Sequence, residues 1–193
     1  LGTAGIFSLA TMAVVGVSGY VAAAANVYLG IPWPFMFAIG TIAGLIFGGF
    51  LALPSSRLDG LYYALLTLGL AEICRVFISQ IRALTPTNGS INGVSSFIPE
   101  EWYLQRPGLL LGAITALVLL LLSLLIYRLV NGETLGRQLQ VAREDEEFAE
   151  AIGINYHSAR IKVFLISCAG LGFIGAFYAM YFRSISVGVF SLD

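Results

Sequence analysis

The sequence is poor in charge and in the residues that carry most enzyme chemistry. Only 11% of its 193 residues are charged, and it has one histidine, His157, and two cysteines. A single histidine excludes an HExxH zinc motif, and we expect neither a His-based metal cluster nor a catalytic triad. Beyond Arg160 and Lys162 no basic cluster is available to neutralise phosphates, which sets nucleic acid aside as a partner. We therefore predict no catalytic and no metal-binding residue.

Nucleotide-binding motifs are absent or misplaced. The only lysine, Lys162, is not preceded by the glycine-rich loop of a Walker A motif. Gly170, Gly172 and Gly175 spell GxGxxG, but they lie inside a hydrophobic run and not after a strand of a soluble βαβ unit. We interpret them as close-packing glycines. We expect no cofactor in this chain, so any ATP chemistry must come from a partner.

What the chain has in excess is apolar surface. Hydrophobic residues make up 58% of it, the mean hydropathy is +0.88, and residues 1–56 contain no Asp, Glu, Lys or Arg. This composition predicts a membrane protein with an all-α, polytopic transmembrane bundle of about five spans. The predicted spans are residues 2–25, 33–53, 61–81, 109–127 and 163–182. Cys74 and Cys168 both fall in apolar runs and are interpreted as small packing residues. The start and end of the sequence suggest a piece of a longer permease-like chain.

Two of the spans carry unusual residues. Gly40, Gly44 and Gly48 recur every four residues, a ridge that lets another helix approach closely in lipid; the alternative is that membrane helices are simply rich in glycine. Glu72 and Arg75 lie inside the third span, where each charge costs about 2.5–3.5 kcal/mol on insertion scales. At i,i+3 they share a helix face and can pair. They are either a structural pair inside the bundle or the lining or gate of a polar path.

The link between the third and fourth spans, residues 82–108, is predicted to be a loop. Asn88-Gly89 and Asn92-Gly93 are turn signals, and Trp102 with Tyr103 fits the aromatic belt at a membrane interface. Residues 91–98 could form a short, partly inserted element. With five spans, this loop lies on the side of the membrane that has fewer positive charges. The other side is then cytoplasmic, and it holds Arg57, Arg128, Arg137, Arg143, Arg160 and Lys162.

The polar segment at residues 131–162 interrupts this pattern with six of the eleven acidic and four of the ten basic residues. Within it, residues 142–152 predict a short helix, with acidic residues in its first turn, Phe148 and Ile152 stacked at i,i+4, and Gly153 as a cap. A short helix with one apolar patch between two spans is suited to dock on another protein. The alternative is an ordinary solvated loop.

Three blocks of sequence carry a family resemblance. They are Gly5-Ile-Phe-Ser-Leu9 with Gly16-Val-Ser-Gly-Tyr20, then residues 57–69 with Glu72, Arg75 and Asn92-Gly93, and finally Gly136-Arg137, Arg143-Glu144-Asp145, Glu150 to Asn155 and Lys162. Together they resemble the integral membrane permeases of ABC importers for branched-chain amino acids, and within that family the M-type subunit. Ala10 and Gly19 depart from the first block. The general importer pattern of Glu-Ala-Ala with a glycine three residues later is not met, because Gly153 follows Ala151 by two.

The resemblance implies one transmembrane permease domain over residues 1–193, with residues 131–162 as its cytoplasmic coupling loop, in a multi-pass protein of the bacterial plasma membrane. It implies as partners a second, H-type permease, two cytoplasmic ATPase subunits that bind ATP and Mg²⁺, and an extracytoplasmic substrate-binding protein. The chain itself would be a transporter subunit and not an enzyme, moving branched-chain amino acids or related small polar solutes by alternating access. The ATPase-coupling residues would be Arg143, Glu144, Asp145, Glu147, Phe148, Ala151, Ile152 and Gly153.

Other functions remain open at this point. Similar permeases transport urea, amides or aromatic acids, and no residue of this sequence is identified as one that recognises a leucine side chain. An ATP-independent secondary transporter or channel would need ionisable groups in several spans, whereas only the third span has any. An intramembrane enzyme would need converging His, Asp or Cys residues in the bilayer, where the sequence offers Cys74, Cys168 and one carboxylate.

Overall fold

The computed structural model describes residues 11–55, 60–80, 89–102, 105–132, 136, 141 and 156–190. Within these residues the helices are α1 (Thr11–Leu29), α2 (Trp33–Ser55), α3 (Gly60–Gln80), α4 (Arg106–Gly132) and α5 (Tyr156–Phe182). Two short strands, β1 (Ser90–Asn92) and β2 (Ser184–Ser186), and two 3₁₀ turns, Glu100–Trp102 and Val187–Phe190, complete the fold. All five helices are long and apolar enough to cross a bilayer. The predicted helical bundle with five spans is therefore confirmed.

Helix boundaries differ from those predicted at α1, α4 and α5. Helix α4 extends beyond the predicted residues 109–127 at both ends, from Arg106 to Gly132. The first span was expected to end at residue 25, but α1 continues to Leu29. Asn26 does not break it, because its side-chain Nδ2 donates a hydrogen bond to the Ile31 carbonyl, 2.7 Å away, in the turn that follows. The fifth span was expected to begin at residue 163, but α5 starts at Tyr156. The first turns of α5 are polar. They are helical, but they do not belong to the apolar run from which the span was predicted.

Helices α1, α2 and α5 form the packed centre of the molecule, and small residues line their contacts. Gly40, Gly44 and Gly48 of α2 all face α5. A Cβ on Gly44 would lie 2.6 Å from the Cys168 carbonyl oxygen and 2.8 Å from the Gly172 Cα, and Gly48 meets the Cys168 side chain. The backbones of α2 and α5 therefore approach each other more closely than any larger residue would allow.

The contact between α1 and α5 is built in the same way. A Cβ on Gly175 would meet the Ser18 hydroxyl and the Val15 carbonyl oxygen, and would lie 3.0 Å from the Gly19 nitrogen. Ser18 is buried, and its hydroxyl donates to the Val14 carbonyl oxygen at 2.6 Å, so α1 presents no unsatisfied polar group there. Gly172 and Gly175 thus use the GxGxxG spacing to hold α5 against two helices, whereas the third glycine, Gly170, faces open space.

Helices α3 and α4 lie at the periphery. The Tyr63 hydroxyl of α3 donates to the Leu51 carbonyl oxygen of α2 at 3.1 Å, and Gly112 of α4 lies under the ring of Tyr181. Most leucines of α4 are exposed, including Leu117, Leu121 and Leu125. A helix that is apolar on all sides is typical of a membrane span whose outer surface meets lipid or further protein.

The glycine contacts predict which substitutions separate the helices. Gly44→Ala places a methyl group against the backbone of α5, so we expect a loss of about 1–3 kcal/mol in stability through overpacking. Thermal unfolding in detergent should show a clearly lower midpoint for this variant. Gly170→Ala in α5 is the matched control, because the added methyl group would enter open space and contact no other helix. Equal midpoints for the two variants would contradict the close-packing account.

Candidate functional site

The most unusual feature of the bundle is an antiparallel ribbon made of β1 and β2. Ser90 pairs with Ser186, Ile91 with Ile185, and Asn92 with Ser184. Because paired residues share a face and successive residues alternate, the ribbon has two different sides. Ile91 and Ile185 are buried on one side. The other side carries only polar groups, from Ser90, Asn92, Ser184 and Ser186, and of these Asn92 and Ser186 are exposed.

The ribbon lies alongside α1 and not beyond its end. A Cβ on Gly19 would lie 2.5 Å from the Ile185 Cδ1 atom, and the Tyr20 hydroxyl donates to the Gly89 carbonyl oxygen. Gly19 precedes the last residue of α1, Leu29, by about ten residues, which is roughly 15 Å of helix. The exposed aromatic residues Tyr28 and Trp33, which favour a membrane interface, lie at that end. The ribbon therefore packs against the second half of α1, ahead of these aromatic residues along the helix.

Side chains from distant parts of the chain hold the ribbon and the loop after it. Asn26 of α1 is only 7% exposed, and its Oδ1 accepts a hydrogen bond of 2.7 Å from the Ser95 amide. Arg183 bridges in two ways: its Nη2 donates to the Ile98 carbonyl oxygen at 2.9 Å, and its own carbonyl oxygen accepts from the Val94 amide at 3.2 Å. Residues 94–98 are thereby fastened both to α1 and to the end of α5.

Three residues with positive φ allow the backbone to change direction on either side of β1 and at the end of α5. Gly89 and Gly93, on either side of β1, both have φ of 83°, and Arg183 at the end of α5 has φ of 53°. Glycine adopts this region without steric cost, which explains both Asn-Gly turn signals, whereas arginine does so at a cost. The hydrogen bonds that Arg183 makes to residues 94 and 98 offset that cost.

An apolar groove of about 920 Å³ adjoins the buried side of the ribbon. Its walls come from α1, α2, α3 and β1, and include Val21, Tyr28, Ile39, Phe77 and Ile91. Since Ile91 belongs to the buried side of the ribbon, the polar side faces away from this groove. The ribbon thus separates an apolar space from a polar surface.

Glu72 and Arg75 pair within α3, with 3.2 Å between Arg75 Nη1 and Glu72 Oε2. Their side chains are 49% and 41% exposed, so the five helices do not enclose the pair. At 100° per residue they lie on the opposite side of α3 from Ile73 and Phe77, which face the groove. Close to the middle of a span, this exposed pair needs a polar or protein environment.

The predicted coupling residues, Arg143 to Gly153, lie outside the described residues. Among those the structure does describe, no group of three His, Cys, Asp or Glu residues comes together as a metal site would require. Cys74 and Cys168 are free thiols, and Cys168 is buried against Gly48. The arrangement offers hydrogen-bonding groups, close helix contacts and an apolar groove, which suit the passage or binding of a solute.

Sequence reasoning missed the ribbon and its anchors, Tyr20, Asn26 and Arg183. One signal was present: Ser-Ile-Asn at 90–92 and Ser-Ile-Ser at 184–186 share a polar-apolar-polar pattern, the alternation of a strand with one buried face. Pairing two segments of three residues that lie more than 90 positions apart requires knowledge of the helix packing, which the sequence pattern does not contain.

Comparison with known proteins places this architecture in a family. The family described as branched-chain amino acid transport system / permease component matches residues 1–192. The chain belongs to this family. With five membrane-competent helices, the predictions of a multi-pass protein of the bacterial plasma membrane and of membership in this permease family are confirmed.

Two curated relatives of the permease family resemble the chain. Both are described as high-affinity branched-chain amino acid transport system permease protein LivM, one from Escherichia coli (strain K12) and one from Salmonella typhimurium (strain LT2). Each is 26% identical over 93% of this chain and 47% of its own length. The chain therefore spans about half the length of these curated relatives. No solved structure matches the chain.

The buried anchor Asn26 predicts how the ribbon can be loosened. Asn26→Ala removes the acceptor of the Ser95 amide and the donor to Ile31, and a buried polar group left unsatisfied costs about 1–3 kcal/mol. Hydrogen exchange in residues 94–98 should become faster by roughly tenfold or more. Thr41→Val is the control, since Thr41 bonds only to Phe37 within its own helix among the contacts described. Unchanged exchange in Asn26→Ala would contradict the anchoring role.

The ion pair of α3 predicts a non-additive result. Glu72→Gln or Arg75→Gln alone leaves one charge near the middle of a span, at an insertion cost of about 2.5–3.5 kcal/mol. Each single variant should therefore lower the yield of folded protein in the membrane, measured by size-exclusion chromatography of detergent extracts. The double variant Glu72→Gln/Arg75→Gln should recover most of the yield. A double variant no better than the worse single one would show that the pairing is unimportant.

Proposed function

We propose that this chain is part of the transmembrane permease subunit of an ATP-driven ABC importer for branched-chain amino acids or related small polar solutes. The observation that carries the proposal is the family match along almost the entire chain. The composition supports it, because all five described helices are long and apolar enough to cross a membrane. The LivM relatives support branched-chain amino acids as the first substrates to test.

The proposed complex contains a second, H-type permease, two cytoplasmic ATPases and an extracytoplasmic binding protein. The binding protein delivers the solute outside, and closure of the ATPases around ATP and Mg²⁺ drives the spans from one open side to the other. The arrangement of helices supports the assignment of sides. The last residue of α4, Gly132, and the first of α5, Tyr156, belong to the helix ends opposite the ribbon. The coupling segment between them is thus expected on the cytoplasmic side.

In this proposal the helix predicted at residues 142–152 seats in a cleft of the ATPase. Phe148 and Ile152 fill the cleft, Arg143, Glu144, Asp145 and Glu147 make contacts at its rim, and Ala151 and Gly153 allow close approach. Glu72 and Arg75 hold α3 in register against neighbouring protein. Gly40, Gly44 and Gly48 keep α2 and α5 together as the spans move.

Co-purification tests the complex. The complete subunit, expressed with its neighbouring transport genes and extracted in mild detergent, should bring down a pair of ATPases and a second permease. A secondary transporter, a channel or an intramembrane enzyme would bring down neither. Recovery of a functional transporter without any ATPase would overturn the proposal.

The coupling role of Phe148 gives a second test. Phe148→Asp puts a charge into an apolar cleft, so it should uncouple ATP hydrolysis from solute uptake in proteoliposomes while leaving membrane insertion intact. Uptake should fall by roughly tenfold or more, since an unpaired buried charge costs several kcal/mol. Phe148→Leu keeps an apolar side chain and is the control. Normal uptake by Phe148→Asp would count against the docking role.

A further inference from the structure

The end of α5 joins the ribbon through a single residue. Helix α5 ends at Phe182 and β2 begins at Ser184, so only Arg183 lies between them. One residue contributes two rotatable backbone angles, and the carbonyl oxygen of Arg183 is held by the Val94 amide at 3.2 Å. Any change in the direction of β2 relative to α5 has to rotate this residue and disturb that hydrogen bond. The ribbon therefore has almost no freedom to move independently of α5.

The loop after β1 is attached directly to α5 as well. Nη2 of Arg183 donates to the Ile98 carbonyl oxygen at 2.9 Å. The ring of Phe97 stacks on the ring of Phe177, in the last two turns of α5, with centroids 5.8 Å apart. The loop is thus held to α5 by strand pairing, by hydrogen bonds and by a ring contact. These three contacts are independent of one another and act on residues 90–98.

Helix α5 is itself fixed to its neighbours. Gly172 and Gly175 meet backbone atoms of α2 and α1 at distances that leave no room for a side chain. Closely packed interfaces of this kind have discrete arrangements and do not deform continuously. Asn26 of α1 also accepts a hydrogen bond from the Ser95 amide, so the loop is fastened to two helices that are packed against each other. We therefore expect α1, α2, α5 and residues 89–98 to move as one body.

We propose that Arg183 fixes residues 89–98 to α5 as a rigid extension of that helix, so that movement at the Tyr156 end is passed across the membrane to this loop. This inference rests on the proposed function, which places the segment before Tyr156 against the ATPases. Helix α5 has 27 residues, or about 40 Å at 1.5 Å per residue, enough to cross the bilayer in one piece. Arg183 is then a positioning residue, because it acts through the loop and not on the solute.

The alternative is a loop that separates from α5 in every transport cycle. The ribbon would then open between β1 and β2, and Arg183 would release Ile98. The two mechanisms differ in one respect that can be measured. A covalent bond between the strands is harmless if the loop follows α5, and it stops transport if the loop has to leave the helix.

A disulfide across the ribbon makes this distinction. Asn92 pairs with Ser184, and paired residues of antiparallel strands have Cα atoms about 4.5–5.5 Å apart, which a disulfide can span. In the complete transporter, Cys74 and Cys168 are replaced by alanine and the pair Asn92→Cys/Ser184→Cys is introduced. Leucine uptake is measured in proteoliposomes that contain the ATPases and the binding protein, before and after oxidation. The single-cysteine variants, treated with the same oxidant, are the controls.

Oxidation should leave uptake within about twofold of the reduced protein, because a rigid unit loses no movement when it is tethered. Mass spectrometry of the digested protein establishes that the disulfide has formed. Uptake that stops on oxidation and returns on reduction would overturn the proposal, since the ribbon would then have to open during transport.

Removing the link should uncouple the two ends of α5. Arg183→Ala deletes the donor to Ile98, and a hydrogen bond from a charged group corresponds to about a tenfold or larger change in an equilibrium. Leucine uptake, and the stimulation of ATP hydrolysis by leucine-loaded binding protein, should therefore each fall by roughly tenfold. ATP hydrolysis without binding protein should stay within about twofold, since the link does not reach the ATPases. Stimulation equal to that of the unaltered complex would overturn the coupling role.

Two further substitutions at arginine serve as comparisons. Arg183→Lys keeps a cationic donor and should recover part of the stimulation. Arg106→Ala removes an exposed arginine at the start of α4, outside the loop that Arg183 holds, and should leave the stimulation unchanged. An equal loss in Arg106→Ala would show that the effect comes from charge on this side of the membrane, and would overturn the proposal.

A covalent rescue separates coupling from folding. When Arg183→Ala is combined with Asn92→Cys/Ser184→Cys, oxidation should restore the lost stimulation and reduction should remove it again. A disulfide that forms without restoring stimulation would overturn the coupling role. A preparation without ATPases would overturn the proposed function, and this inference with it, at the purification step. A complex that has its ATPases and takes up leucine, but stops on oxidation, would overturn this inference alone.

Discussion

Close approach of helix backbones in a medium that supplies no hydrogen bonds is the constraint on which this structure depends. Water does not drive helices together inside a bilayer, so contact has to come from packing. Gly44 against Gly172, and Gly19 against Gly175, bring α2 and α1 to α5 with no side chain between the backbones. Helix α5 is therefore the element around which the other two are assembled, and its glycines are distributed between two partners.

The same constraint explains why the polar groups of the bundle are so carefully satisfied. Ser18 bonds within its own helix, Tyr20 bonds to Gly89, and Asn26 bonds to both the turn after α1 and the loop after β1. Because these side chains belong to the tightly packed α1, they transmit its position to the ribbon. The scaffold of small residues and the ribbon are thus one connected structure.

Features that depend on a single helix could be predicted from the sequence. Long apolar runs predicted all five spans, and the spacing of Gly40, Gly44 and Gly48 indicated the face that meets α5. The spacing of Glu72 and Arg75 indicated their pairing, but not that the pair would face outward, because that depends on where α3 docks. The ribbon could not be predicted, since it depends on hydrogen bonds between residues far apart in the chain. The extension of α1 past Asn26 depends on the bond from Asn26 to Ile31 in the turn after the helix, which the apolar pattern does not show.

The bonds of Arg183 also bear on the order in which the protein is made. Its side chain bonds to Ile98, 85 residues earlier, and β1 pairs with β2. At about 5–20 residues per second, the ribosome delivers β2 several seconds after β1. During that interval the peptide groups of β1 lack the strand with which they pair in the finished structure. The ribbon can therefore be completed only after α5 has been synthesised, because both β2 and Arg183 follow that helix.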